Sequence, residues 1–495
     1  ADHNHTLWLD YKANAKTYLA LQYNLSFNNS RSEEENYTNY KYFNDEAARS
    51  TRIDRFLDKH SKQMNQGVMA QVMKYFDVKG FSRFCIFAEY NYKRNESTDD
   101  EKGYLLGTDA TSQQRVIDDE TTRKRESWTN HHSIEGSLSV RKGLFNFEVN
   151  PTFNYRTDEL NYAKQGLPAL NPRRNYSYIT GRAAFRMRRP NVSSLFVQCY
   201  ITPNIPDISY FITYPDKADP QYIILGNENL RKGSKQELLS WYERNFTKET
   251  EKGKITRTLY ANLLFSHSGN DVTLGSTYNR ETGGITVRPV NVSGNRVGNV
   301  CIGFDTPLDV AQHFWLETSA RASVQHTKTY SEVATADNTE QQFNDNRLYT
   351  YVATVKPRLK LAPVDLSVAY RLGLENNHGS YASANNKAQW HHFVTGNLNG
   401  QLPFRLNLNA TVSYHNYTGY LSGRRENWVM LDFGIERAFL RNENLLVNVS
   451  VHDALNQNNG LLSQYSATAL THTYRKTLGR YGMLTLKYRF SSKKK

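Results

Sequence analysis

Phe404-Arg-Leu-Asn-Leu-Asn-Ala-Thr-Val-Ser-Tyr-His415 alternates apolar and polar residues without a break. Successive side chains of a strand point to opposite faces. Phe404, Leu406, Leu408, Ala410, Val412 and Tyr414 therefore share one face, and Arg405, Asn407, Asn409, Thr411, Ser413 and His415 the other. The stretch reads as a β-strand, greasy on one side and wet on the other.

The same ribbon recurs. Val364, Leu366, Val368, Tyr370, Leu372 and Leu374 alternate with Asp365, Ser367, Arg371 and Gly373. Leu445, Val447, Val449 and Val451 are set against Leu446, Asn448, Ser450 and His452, and Phe145, Phe147, Val149, Phe153 and Tyr155 against Asn146, Glu148, Asn150, Thr152 and Asn154. A soluble β-sandwich also alternates, so the connections discriminate. Tight turns fall near 78–80, 141–143, 188–190, 251–254, 306–309, 362–363, 401–403 and 440–442. Between them lie long polar segments near 29–65, 95–126, 157–173, 204–234, 269–296, 328–346, 377–388 and 455–477, with one brief loop near 417–425. Short connections on one rim and long ones on the other are the mark of a transmembrane antiparallel up-and-down β-barrel with short periplasmic turns and long extracellular loops. About nineteen strands are countable, the last from Arg480 to Phe490. Bacterial single-chain barrels close with an even number, so the whole of 1–495 is expected to be one barrel domain lacking strands at its N-terminus.

Composition agrees. The chain has 495 residues, 38% hydrophobic and 13% aromatic, with 33 Tyr outnumbering 23 Phe, and Tyr suits places where a ring meets lipid and its hydroxyl meets water. Trp128, Trp390 and Trp428 follow loops of the long-loop rim and are expected at the outer rim; Phe81, Phe84, Phe145, Phe314, Phe404 and Phe439 adjoin short turns, at the inner rim. Mean hydropathy is −0.70, and no window approaches the roughly 20 apolar residues of a spanning helix. A helical membrane protein is excluded; a barrel is not, because half of each strand faces a polar lumen. The formal charge of +14 invites a nucleic-acid reading, but Lys and Arg are scattered and no compact basic helix occurs. No nucleic-acid partner is expected, and the anionic lipid headgroup layer, which attracts interfacial Lys and Arg, is the second candidate for the charge. Cys85, Cys199 and Cys301 lie in apolar stretches with no C-x-x-C pair and read as packing residues.

Two stretches carry a resemblance. The last strand, Tyr481-Gly-Met-Leu-Thr-Leu-Lys-Tyr-Arg-Phe490, resembles the terminal strand of outer-membrane barrels. There a closing aromatic, here Tyr488 and Phe490, belongs to the signal read by the barrel-assembly machinery. Segment 220–238 is similar to the stretch of TonB-dependent receptors where a G-N-x-x-L phrase leads into a descending strand: Gly226, Asn227 and Leu230 match, while Lys232 and Gly233 stand where a Pro-Glu pair is frequent. Segment 442–455 is similar to late strands of the Bacteroidetes barrel family within that superfamily. The resemblance implies a parent of 22 strands carrying a plug domain and a TonB contact, neither of which has a counterpart here. It also implies integral residence in the bacterial outer membrane among lipid and lipopolysaccharide, with a surface lipoprotein as a further partner.

Chemistry of other kinds has little footing. No G-x-S-x-G, H-E-x-x-H, Walker or dinucleotide motif is present, so no enzyme activity and no cofactor are expected. His131-His132 and His391-His392 are adjacent on strands, so neither pair converges on one metal; loop 336–346 lacks calcium-loop spacing. The lumen-facing polar residues Arg321, Arg371, Arg405, Asn407 and Asn409 are the candidates for contact with a plug or for lining a substrate path. The expected function is the barrel portion of a transporter taking up a nutrient such as a siderophore, glycan or peptide. The alternative is a surface receptor or assembly partner without active transport.

Overall fold

A computed structural model describes residues 2–41, 50–106, 115–279, 284–334, 339–379, 388–419, 426–440, 443–458, 461–465, 470–474 and 478–490. Among the described residues, nineteen strands build the wall. In chain order they are β1 (Asp2–Asn14), β2 (Thr17–Lys41), β3 (Ser50–Phe76), β4 (Arg83–Leu106), β5 (Arg123–Lys142), β6 (Phe145–Lys164), β7 (Arg173–Arg189), β8 (Ser193–Asn204), β9 (Gly233–Thr250) and β10 (Gly253–Gly269). They continue as β11 (Asn295–Pro307), β12 (Phe314–Ala334), β13 (Thr339–Leu361), β14 (Val364–Gly379), β15 (Gln389–Leu402), β16 (Leu406–Thr418), β17 (Glu426–Phe439), β18 (Leu445–His452) and β19 (Tyr481–Tyr488). Each pairs antiparallel with the next, in an unbroken up-and-down ladder. This is the β-barrel wall expected from the alternation and loop parity.

Burial is inverted relative to a water-soluble protein. On the outward face Ile179 is 71% exposed, Ile134 58% and Phe153 53%, whereas the inward Asn154, Asp158 and Ser133 are buried. The accessible surface is 31565 Å², against about 19,000 Å² for a compact monomer of this mass. The excess belongs to a hollow wall with two faces. Along β6 the outward row Phe145, Phe147, Val149, Pro151, Phe153 and Tyr155 rises about 34 Å, which at a tilt of about 45° covers about 24 Å. That matches the apolar band of about 25 Å on a membrane barrel.

The short turns use left-handed backbone where two residues must reverse the chain. Gly143, between β5 and β6, has φ 57, the conformation a two-residue hairpin demands at its first position and glycine adopts without strain. Before β16 the reversal falls on Pro403–Arg405, with Phe404 at φ 64 and Arg405 at φ 58. The strand begins at Leu406, two residues later than the alternation suggests, so Arg405 belongs to the turn.

The long polar segments differ more. Residues 29–41, 50–65, 95–106 and 123–126 continue β2, β3, β4 and β5 instead of forming loops. β2 and β3 reach 25 and 27 residues, more than twice the 9–11 or so that cross a membrane. Above the membrane both faces are wet, so alternation disappears, but ladder hydrogen bonds do not depend on side-chain polarity. Arg31–Asp58 at 2.8 Å, Lys59–Glu34 at 3.1 Å and Ser61 Oγ donating to Asp99 at 2.7 Å lace the extension.

Candidate functional site on the inner wall

Direct cross-strand partners share a face, so register assembles the inner wall row by row. One row runs Arg321, Val352, Gly373, His391, Tyr417 across β12 to β16. The row beneath it runs Thr354, Arg371, Phe393, His415, Trp428 across β13 to β17. Together they bring aromatic and imidazole rings into contact. Trp428 stacks on His415 with centroids 4.8 Å apart and planes 9° off parallel, and on Tyr417 at 5.4 Å and 12°. Tyr417 meets His391 at 4.4 Å, and His415 meets Phe393 at 4.5 Å. These spacings approach the 4.7–4.9 Å or so between strands, so the rings stand upright, shoulder to shoulder. Beside them a cavity of about 310 Å³ is lined by Val352, Arg371, Gly373, Glu375, His391 and Phe393.

Inward cations elsewhere meet carboxylates: Arg156–Asp158 at 2.8 Å, Arg182–Glu148 at 3.3 Å, Lys356–Glu317 at 2.8 Å. Arg371 and Arg321 have no such partner among the described residues. Asn407 and Asn409 line a separate concavity of about 480 Å³ with Lys360, Asp365, Asn399 and Gln401, nearer the short turns. Arg405 lies apart from both, in its exposed turn 3.9 Å from Glu443. Tyr488 ends β19, and Phe490 beyond it is 88% exposed, its ring edge-on to Tyr488 at 4.6 Å.

The paired histidines split between faces. His131 turns inward to Asn154 Oδ1 at 3.0 Å, while His132 Nδ1 takes part in a hydrogen bond with the Tyr90 hydroxyl at 2.9 Å. His391 joins the inner rings, while His392 Nδ1 bonds the hydroxyl of outward Tyr370 at 2.9 Å. Among the described residues no three His, Cys, Asp or Glu side chains group to hold a metal ion. Trp428 sits at the outer rim as expected but faces inward, on His415. The ring cluster is not among the residues the sequence singles out, although the i, i+2 pairs His391/Phe393 and His415/Tyr417 at strand ends beside the outer-rim loops are its signal.

Above the wall, loop strands extend the sheet. Tyr222–Ile224 pairs parallel with Ile285–Val287, and 285–292 pairs antiparallel with 271–278. Residues 276–279 pair parallel with 331–334 at the top of β12. The G-N-x-x-L phrase anchors this platform. A side chain on Gly226 would lie 1.9 Å from the Ile212 carbonyl oxygen, Asn227 Nδ2 donates to the Pro289 carbonyl at 2.8 Å, and Leu230 is buried. A side chain on Gly233 would meet the Asn270 carbonyl oxygen at 2.2 Å, so glycine is required there too.

Ion pairs tie neighbouring loops to the strand tops: Arg55–Asp118 at 2.7 Å, Lys164–Glu120 at 2.7 Å, Arg123–Glu101 at 3.3 Å and Arg123–Asp216. Burial pushes the Asp216 carboxyl up, but the Arg123 cation outweighs it and holds the group below its ordinary 3.8. Burial likewise opposes the Arg123 cation, and Asp216 and Glu101 raise its pKa nonetheless.

No family model matches the chain, and no curated protein matches it. Among solved structures it is similar to the copper transporter OprC, at 10% identity and TM-score 0.45, over 98% of this chain and 82% of that one. It is similar to the Serratia marcescens hemophore receptor HasR, solved with its hemophore HasA and heme, at 11% and 0.48, over 99% and 71%. The FrpB iron transporter of Neisseria meningitidis follows at 10% and 0.42, over 99% and 79%. The fold rests on the chain's own ladder.

Proposed function

We propose that this chain is the barrel wall of an outer-membrane transporter or receptor of the TonB-dependent kind, taking up a nutrient such as a siderophore, glycan or peptide. The observation that carries it is the inverted wall: an apolar outward band about 24 Å tall around an interior of paired charges, amides and hydroxyls. An open sheet with that outer surface has no stable place in water. Arg321, Arg371, Asn407 and Asn409 then face the lumen, where a plug packs or a substrate passes; Tyr488 and Phe490 serve the barrel-assembly machinery. Lipid and lipopolysaccharide surround the band, TonB supplies energy through a plug seated in the lumen, and a surface lipoprotein caps the loops.

The test joins fractionation to uptake. The protein is expected in the outer-membrane fraction, migrating faster on gels unheated than boiled, and deletion of its gene is expected to abolish energised uptake of one ligand class. A water-soluble, heat-insensitive protein would overturn the reading. A heat-modifiable barrel whose deletion leaves all uptake intact would favour a surface receptor or assembly partner.

A further inference from the structure

Four features meet at one place on the inner wall. Gly373 is the one glycine in the interior of β14, whose other glycine, Gly379, ends the strand, and glycine inside a strand commonly marks the close approach of a ligand. It is buried and not in the left-handed region, so its role is space: a Cβ there would lie 3.4 Å from the His391 Cβ. The slot above it is bounded by Val352 and His391, its partners on either side. Along β14, Arg371 stands two residues to one side of Gly373 and Glu375 two residues to the other, all on the inward face. Neither charged group has an ion-pair partner among the described residues. Arg321, beyond Val352 in the same row, is a second cation next to the slot's lining.

We infer that this slot binds a flat, ring-bearing organic anion with an oxyanion at one end and a hydrogen-bond donor at the other. The ring inserts over Gly373 and prolongs the His391–Tyr417–Trp428 series by one member. Its oxyanion meets the Arg371 guanidinium, a planar fork matched to carboxylate geometry. Its hydroxyl or amino group donates to Glu375. Arg371 and Glu375 are four residues apart, about 13 Å between Cα atoms, which leaves the length of a small two-ring molecule between the side-chain ends. Glu375 also repels a second acidic group at the far end, so a dianion is disfavoured. The inference deepens the transporter reading and rests on it, because the slot must open on a hydrated lumen; it names the chemical class of what passes the wall.

The probe is 7-hydroxycoumarin-3-carboxylate, which carries a carboxylate and a hydroxyl at opposite ends. Its fluorescence anisotropy is followed on the full chain in detergent, at mildly acidic pH where the hydroxyl keeps its proton. Saturable binding is expected, weakened about tenfold to a hundredfold for Arg371→Ala, less for Arg371→Lys, and similarly weakened for uncharged 7-hydroxycoumarin. Gly373→Val removes no charge and is expected to abolish binding by filling the slot. Each variant's heat-dependent gel shift reports its folding separately. A folded wild type that does not bind, or equal affinity in wild type, Arg371→Ala and Gly373→Val, would overturn the inference and leave the barrel intact; a chain without the gel shift would overturn both.

Discussion

A charge placed on the outward face at mid-height should cost far more than the same charge one residue away. Leu138 lies on β5 in the outward row with Ile86 and Val149, close to the middle of the band from Phe145 to Tyr155. An arginine at the midplane of a barrel's lipid face costs about 2–4 kcal/mol, which lowers the folding constant by about thirtyfold to nearly a thousandfold. The neighbouring Ser139 faces inward opposite Glu148, which already accepts from Arg182, so an arginine there finds water and a carboxylate. Its cost should stay below about 1 kcal/mol. The assay is reversible urea unfolding in phosphocholine vesicles, followed by tryptophan fluorescence. Equal costs for Leu138→Arg and Ser139→Arg, or a larger cost for the second, would refute the assignment of faces and with it the membrane reading.

Three further outcomes follow from named contacts. Gly226→Ala drives a methyl into the Ile212 carbonyl and should expose residues 205–232 to hydrogen exchange and protease while barrel stability changes little; unchanged protection would contradict the anchor. Asn227→Ala removes the bond to the Pro289 carbonyl and should destabilise the same platform by about 1 kcal/mol, read as faster exchange at 285–292. The folded-state carboxyl of Asp216 titrates below its ordinary 3.8, so its contribution is complete above that pH and is lost as pH falls through the lower folded value. Loop protection near 205–232 should therefore drop between neutral and strongly acidic buffer, and Asp216→Asn should remove that pH dependence.

The wall was legible because its signal is local. Leu406 to Tyr414 must alternate when one face meets hydrocarbon and the other water, and the tight turns at 141–143 or 440–442 are spelled in Gly, Asn and charged residues. Residues 29–41 and 50–65 read as loop for a physical reason: a strand pair beyond the membrane is wet on both faces, and nothing in its composition separates it from a loop. The turn at Pro403–Arg405 lies two residues later than its sequence suggests because Phe404 and Arg405 preserve the alternation while adopting left-handed backbone. The ring cluster depends on register across β15, β16 and β17, a long-range fact that no single strand carries. Gly226, Asn227 and Leu230 were visible as a phrase, but their reason, close packing on Ile212 and Pro289, appears only once the loops are folded together.

The most direct measurement places spin labels one by one at positions 406–414 of β16, in a background without Cys85, Cys199 and Cys301, with the protein in lipid vesicles. Collision with oxygen dissolved in the bilayer should peak at 406, 408, 410, 412 and 414, and collision with a water-borne nickel chelate at 407, 409, 411 and 413, with a period of two. Labels that show no such alternation, or that all collide freely with the chelate, would mean that this face never meets lipid.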